Sequence, residues 1–310
     1  MTRSCYTPRT SQVSVLGFPL VRTVARRAAR LCALAILLLL PPEVSAQKAV
    51  AQRAADYVAD YQRELIAIVA DEKYVQDIRS QIPEDPGAPR SRSTTGEVFF
   101  IFTAPSRGWM AIRDVRTVDG APAPERTDVR ATLATLPAAE VGERMRSYNA
   151  RYNIGRIVRT INEPTLALLS LDEGHRSRFR FETKNREDVD GHALIWLAFE
   201  EKERPTLIRS LQGRPVFMKG GLLVEIANGR IWESRLTATV EGTSVELVTK
   251  YRFDERLGLM LPSVFRELYE QGKAVKGGGQ TSGTSAEYEQ IACEATYSNF
   301  RRFDVFSRIR

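Results

Sequence analysis

Two apolar–polar alternations meet at Asn228-Gly229, in Ile-Ala-Asn-Gly-Arg-Ile-Trp, and predict an antiparallel hairpin. Past the turn, Trp232, Leu236, Ala238 and Val240 share a face with Ser234, while Glu233, Arg235, Thr237 and Thr239 take the other. A turn at Glu241-Gly242-Thr243 then repeats the scheme, with Val245, Leu247, Tyr251 and Phe253 set against Glu246, Lys250 and Arg252. Strands of this kind bury one face and wet the other, as in a meandering antiparallel sheet. The stretch Glu287 to Asp304 closes the series, with Ile291, Cys293 and Ala295 in one phase.

Two stretches are apolar in both phases. In Glu97 to Thr103, Val98, Phe100 and Phe102 alternate with Phe99 and Ile101; Pro105-Ser106-Arg107-Gly108 then turns the chain into a strand from Trp109 to Val118. In His192 to Phe199, Leu194, Trp196 and Ala198 alternate with Ala193, Ile195, Leu197 and Phe199. A strand buried on both sides has something packed on each side. The expectation is a sheet with helices on one face and, near its middle, a second apolar layer or a ligand on the other. Phe100, Phe102, Leu194 and Trp196 are the candidate lining of a ligand site.

Helical periodicity runs from Lys48 to about Asp71 through Val50, Ala54, Tyr57, Val58, Tyr61, Leu65, Ile68 and Val69. Such a helix either covers the core or forms a lid over a pocket. A strand from Lys73 through Ile78 follows, and then Pro83, Pro86, Gly87 and Pro89 mark a loop to Thr95. Arg126 to Tyr152 reads as helix interrupted at Pro137, and Thr165 to Leu171 as a short apolar helical turn that docks on the sheet. Arg176 to Thr183 pairs with His192 to Glu200 across Asp188-Val-Asp-Gly, leaving a basic stripe of Arg176, Arg178 and Arg180 outside. Asp119-Gly120 and Asp190-Gly191 are turns, and Gly277 to Ser285 is an apolar-free loop. The fold class is α+β: a curved antiparallel β-sheet, a half-barrel, covered by N-terminal and inserted helices.

The first 46 residues change how composition is read. Arg22, Arg26, Arg27 and Arg30 precede an apolar run from Leu31 to Leu40, Pro41-Pro42 break it, and Val44-Ser45-Ala46 supplies small residues at the cleavage positions. This predicts a signal peptide cut after Ala46, with residues 47–310 as one half-barrel domain carrying a helical insertion at about 126–171. The apolar run is too short for a resident transmembrane helix, and the protein is expected in the periplasm or secreted, by the Sec or the twin-arginine route. The whole chain has 45 Lys and Arg against 38 Asp and Glu, a net of +7. Six of those arginines and one of those acids lie in the leader, so the remainder carries 39 against 37 and gives no footing for nucleic-acid binding. Cys5 and Cys32 leave with the leader, so Cys293 has no partner for an internal disulfide and reads as a buried thiol.

Catalytic signals are sparse. His175 and His192 have no second His or Cys at metal-ligand spacing, and neither a Gly-x-Ser-x-Gly elbow nor a Walker-type loop occurs. No catalytic residue, metal or cofactor is nominated, although a pair of carboxylates acting on glycans stays open. Arg151, Arg156 and Arg159, in Arg-Tyr-Asn-Ile-Gly-Arg-Ile-Val-Arg, either gather round an anion or pair with nearby acids.

The amphipathic N-terminal helix, the meander with aromatic inner positions, and export together resemble the outer-membrane lipoprotein-sorting superfamily, which includes the LolA and LolB carriers and the N-terminal domain of RseB-type regulators. Gly221-Leu-Leu-Val-Glu-Ile-Ala-Asn-Gly-Arg-Ile-Trp-Glu-Ser-Arg is similar to the hairpin of that group. The resemblance implies an apolar cavity for acyl chains inside a helix-capped half-barrel. It supports a carrier or sensor of an apolar or acylated ligand. An envelope interaction module that docks a protein by a sheet edge or by the arginines is the alternative, and a carboxylate-dependent enzyme the third.

Overall fold

The computed structural model describes residues 42–65, 68–80, 89–103, 108–126, 128–135, 148, 150–159, 161–272 and 288–302. The chain divides into two units, Met1–Ala46 and Gln47–Arg310. The second is built on a sheet of eleven antiparallel strands.

In chain order the elements are α1 (Pro42–Leu65), β1 (Ile68–Ser80), β2 (Ser91–Thr103), β3 (Gly108–Val118), β4 (Ala121–Pro122) and α2 (Val129–Thr135). Two 3-10 turns, Leu166–Leu171 and Arg176–Arg178, lead into β5 (Phe179–Val189) and β6 (His192–Glu201). A small separate hairpin follows, β7 (Ile208–Arg209) with β8 (Pro215–Val216). The meander ends with β9 (Met218–Glu225), β10 (Ile231–Val240), β11 (Thr243–Asp254), β12 (Leu259–Gln271) and β13 (Glu289–Arg302). The strand order is β4-β3-β2-β1-β13-β12-β11-β10-β9-β6-β5, so the last strand closes beside the first while both outer edges stay open.

The sheet curls strongly. In that order β3 and β11 lie five strand spacings apart, which on a flat sheet is about 24 Å. Two consecutive residues nevertheless reach both. The Glu163 carboxyl accepts the Ala111 N–H of β3. The Pro164 carbonyl accepts the hydroxyls of Thr249 at 2.6 Å and Tyr251 at 3.0 Å on β11. Only a sheet wrapped around this segment brings both walls to it.

α1 lies on the concave side and buries Ala54, Val58, Tyr61 and Leu65 at three- and four-residue steps. It ends earlier than its periodicity predicts: Ile68 and Val69, counted into the helix, begin β1. The β-branched Ile68-Val69 pair favours the pleated surface, where Ile68 pairs with Phe100. α2 covers Val69, Phe99, Ile101 and Ile112 on the convex side together with Tyr148, which explains why β2 is apolar in both phases. Of the helix expected over Arg126 to Tyr152, Val129–Thr135 is helical, and 136–147 lie outside the described residues. The loop expected from Pro83 to Thr95 ends earlier, because Ser91 already begins β2, and its residues 83–88 lie outside the described residues, as does the loop expected at Gly277–Ser285.

Asp119-Gly120, Asp190-Gly191 and Glu241-Gly242 each put two successive residues at positive φ, the geometry of tight type I′ hairpins. The Asn228-Gly229 turn is longer than the two-residue turn its sequence predicts. The Glu225 N–H donates to the Arg230 carbonyl across Ile226–Gly229, and positive φ is confined to Gly229. A Cβ on Gly229 would stand 2.4 Å from the Arg53 carbonyl of α1, so the bare glycine lets the helix rest on the turn.

Candidate functional site

The segment from Tyr152 to Leu171 runs through the hollow of the curled sheet and fills it. Ile157, Ile161, Leu166, Leu168, Leu169 and Leu171 join one continuous core with α1 and the strands. Backbone groups fix this plug as firmly as side chains do. The Glu289 carboxylate of β13 accepts the Arg156 and Ile157 N–H groups at 2.8 and 3.0 Å. Gln76 of β1 donates to the Tyr152 carbonyl and accepts the Ile154 N–H. Gly155, at φ +86°, faces Ile291 so closely that a Cβ would stand 2.6 Å from its terminal methyl.

A polar layer is sealed between plug and sheet. The Arg113 guanidinium of β3 donates to both Glu72 oxygens of β1, at 3.1 and 2.9 Å, and lies over the Tyr74 ring. The hydroxyls of Tyr74 and Tyr269 donate to Glu267 of β12. From the plug, Arg159 donates to Tyr74 Oη at 3.3 Å, Cys293 Sγ at 2.9 Å, Gln76 Oε1 at 2.6 Å and the Ile154 carbonyl at 3.1 Å. Burial works against the Arg159 charge, but Tyr74, Cys293, Glu267 and Tyr269 outweigh it and raise its pKa. Burial pushes the Glu163 carboxyl up to about 8, against the pull of Arg113 and the Ala111 N–H. Glu267 is likewise raised by burial, and the Cys293 thiol is pushed up to about 12. Glu72 and Glu267 are buried and engaged by guanidinium or phenol groups.

The residues singled out in the sequence are scattered. Phe100 is buried on the concave face, its ring edge-on to Tyr297 at 5.8 Å. Leu194 and Trp196 face the other way, because Ile195, Leu197 and Phe199 hold the concave phase of β6. Trp196 is half-buried, donates to Glu187 at 2.7 Å and lies under the Arg235 guanidinium. Six strands separate β2 from β6, so Phe100 and Trp196 share no wall. The Phe102 side chain lies outside the described residues. The three arginines part as well: Arg151 is exposed, donates to the Glu125 carbonyl and covers the Tyr148 ring, Arg156 is exposed, and Arg159 is buried in the polar layer.

What remains open on the concave side is its mouth. A hollow of about 170 Å³ is lined by Ile157, Val158, Ile161, Leu211, Val240 and Val245, with Arg156 and Glu241 at the rim and Tyr269 behind. Val158 and Leu211 are 68 % and 67 % exposed. Leu211 carries no periodic signal in the sequence and stands out only as a leucine in Ser-Leu-Gln-Gly-Arg-Pro, a stretch rich in turn residues. On the convex face a larger open groove of about 380 Å³ runs over Val75, Val248, Leu268 and Ala292 between Asp77, Glu246, Arg266 and Glu294.

No family model and no curated protein matches the sequence. Solved structures align with most of it. A LolA superfamily protein from Nitrosomonas europaea is 13 % identical over 83 % of this chain and 93 % of its own, with a TM-score of 0.33. An outer membrane lipoprotein-sorting protein domain from Vibrio parahaemolyticus is 9 % identical over 81 % and 93 %, at 0.31. The MucA/MucB complex of Pseudomonas aeruginosa contains a chain 10 % identical over 81 % and 99 %, at 0.20. At these identities the likeness is one of fold and matches no functional residue. No helix among the described residues is long and apolar enough to cross a membrane.

Proposed function

We propose that this chain is an exported, non-catalytic binding protein of the bacterial cell envelope that takes the end of an apolar or acylated ligand at the mouth of its half-barrel. One observation carries the reading: the hollow that reaches the concave side is lined by Ile157, Val158, Ile161, Leu211, Val240 and Val245, with two of them left largely in water. A cavity running the length of the sheet, as the resemblance implies, is replaced by the plug. Apolar side chains without a cover favour an apolar occupant.

A hollow of about 170 Å³ falls below the roughly 300–1,000 Å³ of sites that enclose a drug-sized ligand. It admits a few methylenes, each stabilising by about 0.8 kcal/mol. The resulting affinity for a free ligand is about millimolar. Binding of a spin-labelled or fluorescent fatty acid tests the reading: weak saturable binding that Leu211→Asp removes is expected, and tight binding indifferent to Leu211 contradicts it.

A protein partner is the second reading, favoured by the convex groove over Val75, Val248, Leu268 and Ala292 with its mixed charged rim. Replacing Leu268 with Lys should then abolish capture of that partner while leaving fatty-acid binding intact. Capture that survives the substitution removes this alternative.

A further inference from the structure

Among the described residues four large apolar side chains are exposed, Val158, Leu211, Phe217 and Phe253, and two of them, Val158 and Leu211, line the mouth. Leu211 sits at the tip of the β7–β8 hairpin, whose turn is held by the Ser210 hydroxyl accepting the Gln212 and Arg214 N–H groups. Phe217, 44 % exposed, directly precedes Met218, which pairs with Ala238, two residues short of Val240 in the mouth wall. Val158 comes from the plug. The fourth, Phe253, is on β11 away from the mouth and lies under the Arg230 guanidinium at 4.3 Å. Two separate stretches of chain, the plug and the β7–β8 hairpin, therefore turn apolar side chains outward at the mouth.

Charge at this end has one dominant sign. From Ile208 to Met218 the chain contains Arg209 and Arg214 and no acid, and Arg156 stands beside Val158 on the plug. All three are exposed. Elsewhere arginines are matched with acids, as in Arg113–Glu72, Arg126–Asp114, Arg235–Glu233, Arg266–Glu294 and Arg302–Glu64. Arg156, Arg209 and Arg214 have no such partner among the described residues, and Glu241 is the one acid lining the mouth. Unpaired guanidiniums around outward apolar groups complement a surface that is anionic above and hydrocarbon below.

We propose that this end of the molecule docks on an anionic phospholipid bilayer, with Leu211 and Val158 entering beneath the headgroups and Arg156, Arg209 and Arg214 binding headgroup phosphates. This rests on the reading that the mouth takes the end of an acyl chain. It adds the place where the chain is offered: a site with about millimolar affinity is filled when the bilayer supplies acyl chains at high local concentration.

The test is flotation of the protein, as recovered from an exporting host, with vesicles of phosphatidylcholine alone and of phosphatidylcholine mixed with phosphatidylglycerol. Binding to the mixed vesicles that falls as salt is raised is expected, with little binding to the neutral ones. Arg209→Ala and Arg214→Ala each weaken it about fivefold, and Leu211→Ser at least about tenfold. All three positions are exposed, so circular dichroism should be unchanged in each variant. No binding to anionic vesicles, or equal binding to both kinds, overturns the proposal. A photoreactive residue at position 211 that captures protein and no lipid in cells overturns it in favour of a protein partner. Monomeric fatty acid provides the separate arm: if it binds while vesicles do not, docking fails and the mouth reading stands; if neither binds, both fail.

Discussion

Arg156 and Arg159 stand three residues apart on the plug and carry very different energetic weight. The Arg156 side chain is exposed, and its backbone N–H is what Glu289 holds. Arg159 is the buried cation that Tyr74, Cys293, Gln76 and the Ile154 carbonyl surround. Arg159→Ala should therefore cost about 3–5 kcal/mol in urea unfolding, and Arg156→Ala less than about 0.5 kcal/mol; equal losses would mean the polar layer is not the anchor described. Glu163 gives the stability a pH signature. Its folded pKa is raised to about 8, mainly by burial and also by the charges of Glu267 and Glu72, with Arg113 and the Ala111 N–H opposing. A carboxyl raised on folding contributes stability that is whole below the unfolded value and lost as pH climbs through the folded one. Stability should thus decline between about pH 4.5 and about pH 8, and raised Glu267 works in the same direction. Glu97, where burial is outweighed by Arg130, Arg116 and Arg301, is lowered and acts oppositely, losing its contribution as pH falls into the acid range. Glu163→Gln should flatten the upper decline in chemical denaturation measured across pH. An unchanged slope would show that Glu163 does not titrate there.

At the level of elements, the turn that carries α1 makes the sharpest prediction. Gly229→Ala forces a Cβ against the Arg53 carbonyl and strains a positive φ, whereas Gly120, at φ +82°, faces open space. Both substitutions cost about 1 kcal/mol for the backbone conformation, and Gly229→Ala should add a loss of α1 packing that lowers the thermal midpoint further. Identical shifts would mean the helix does not bear on the turn. The strands were legible in the sequence because period-two alternation with Asp-Gly and Glu-Gly turns leaves few other folds for the chain. The end of α1 was not, since Ile68 and Val69 satisfy helical and strand spacing alike until pairing with β2 decides. Buried acids had left a mark that was not used: Glu72 falls in phase with Ala70 and Tyr74, and Glu267 with Phe265 and Tyr269. The candidate site was the least legible part. The double-faced strand β2 announced two covers, and these are α2 with Tyr148 on one side and the α1-and-plug core on the other, whereas the outer phase of β6, with Leu194 and Trp196, belongs to neither. A segment that folds back to fill its own sheet has no periodic signal, because its contacts run through backbone carbonyls and N–H groups that any sequence possesses.

For the whole molecule, a curled antiparallel sheet has its interior occupied by residues of its own chain, and the binding proposed above is left to the mouth. Glu163 and Pro164 tie the two walls together, so admitting a ligand deep inside would expose the Arg159 cation and break both ties. On the proposal made above, recognition lies on the outside of the fold, at outward apolar groups beside arginines with no acid partner among the described residues. The most direct measurement is photo-cross-linking with a diazirine-bearing fatty acid, followed by peptide mapping of the adducts. Adducts confined to Ile157–Ile161, Leu211 and Val240–Val245 are expected. Adducts at Phe100, Leu168 or Ile195 would show that the acyl chain displaces the plug, and would contradict the account.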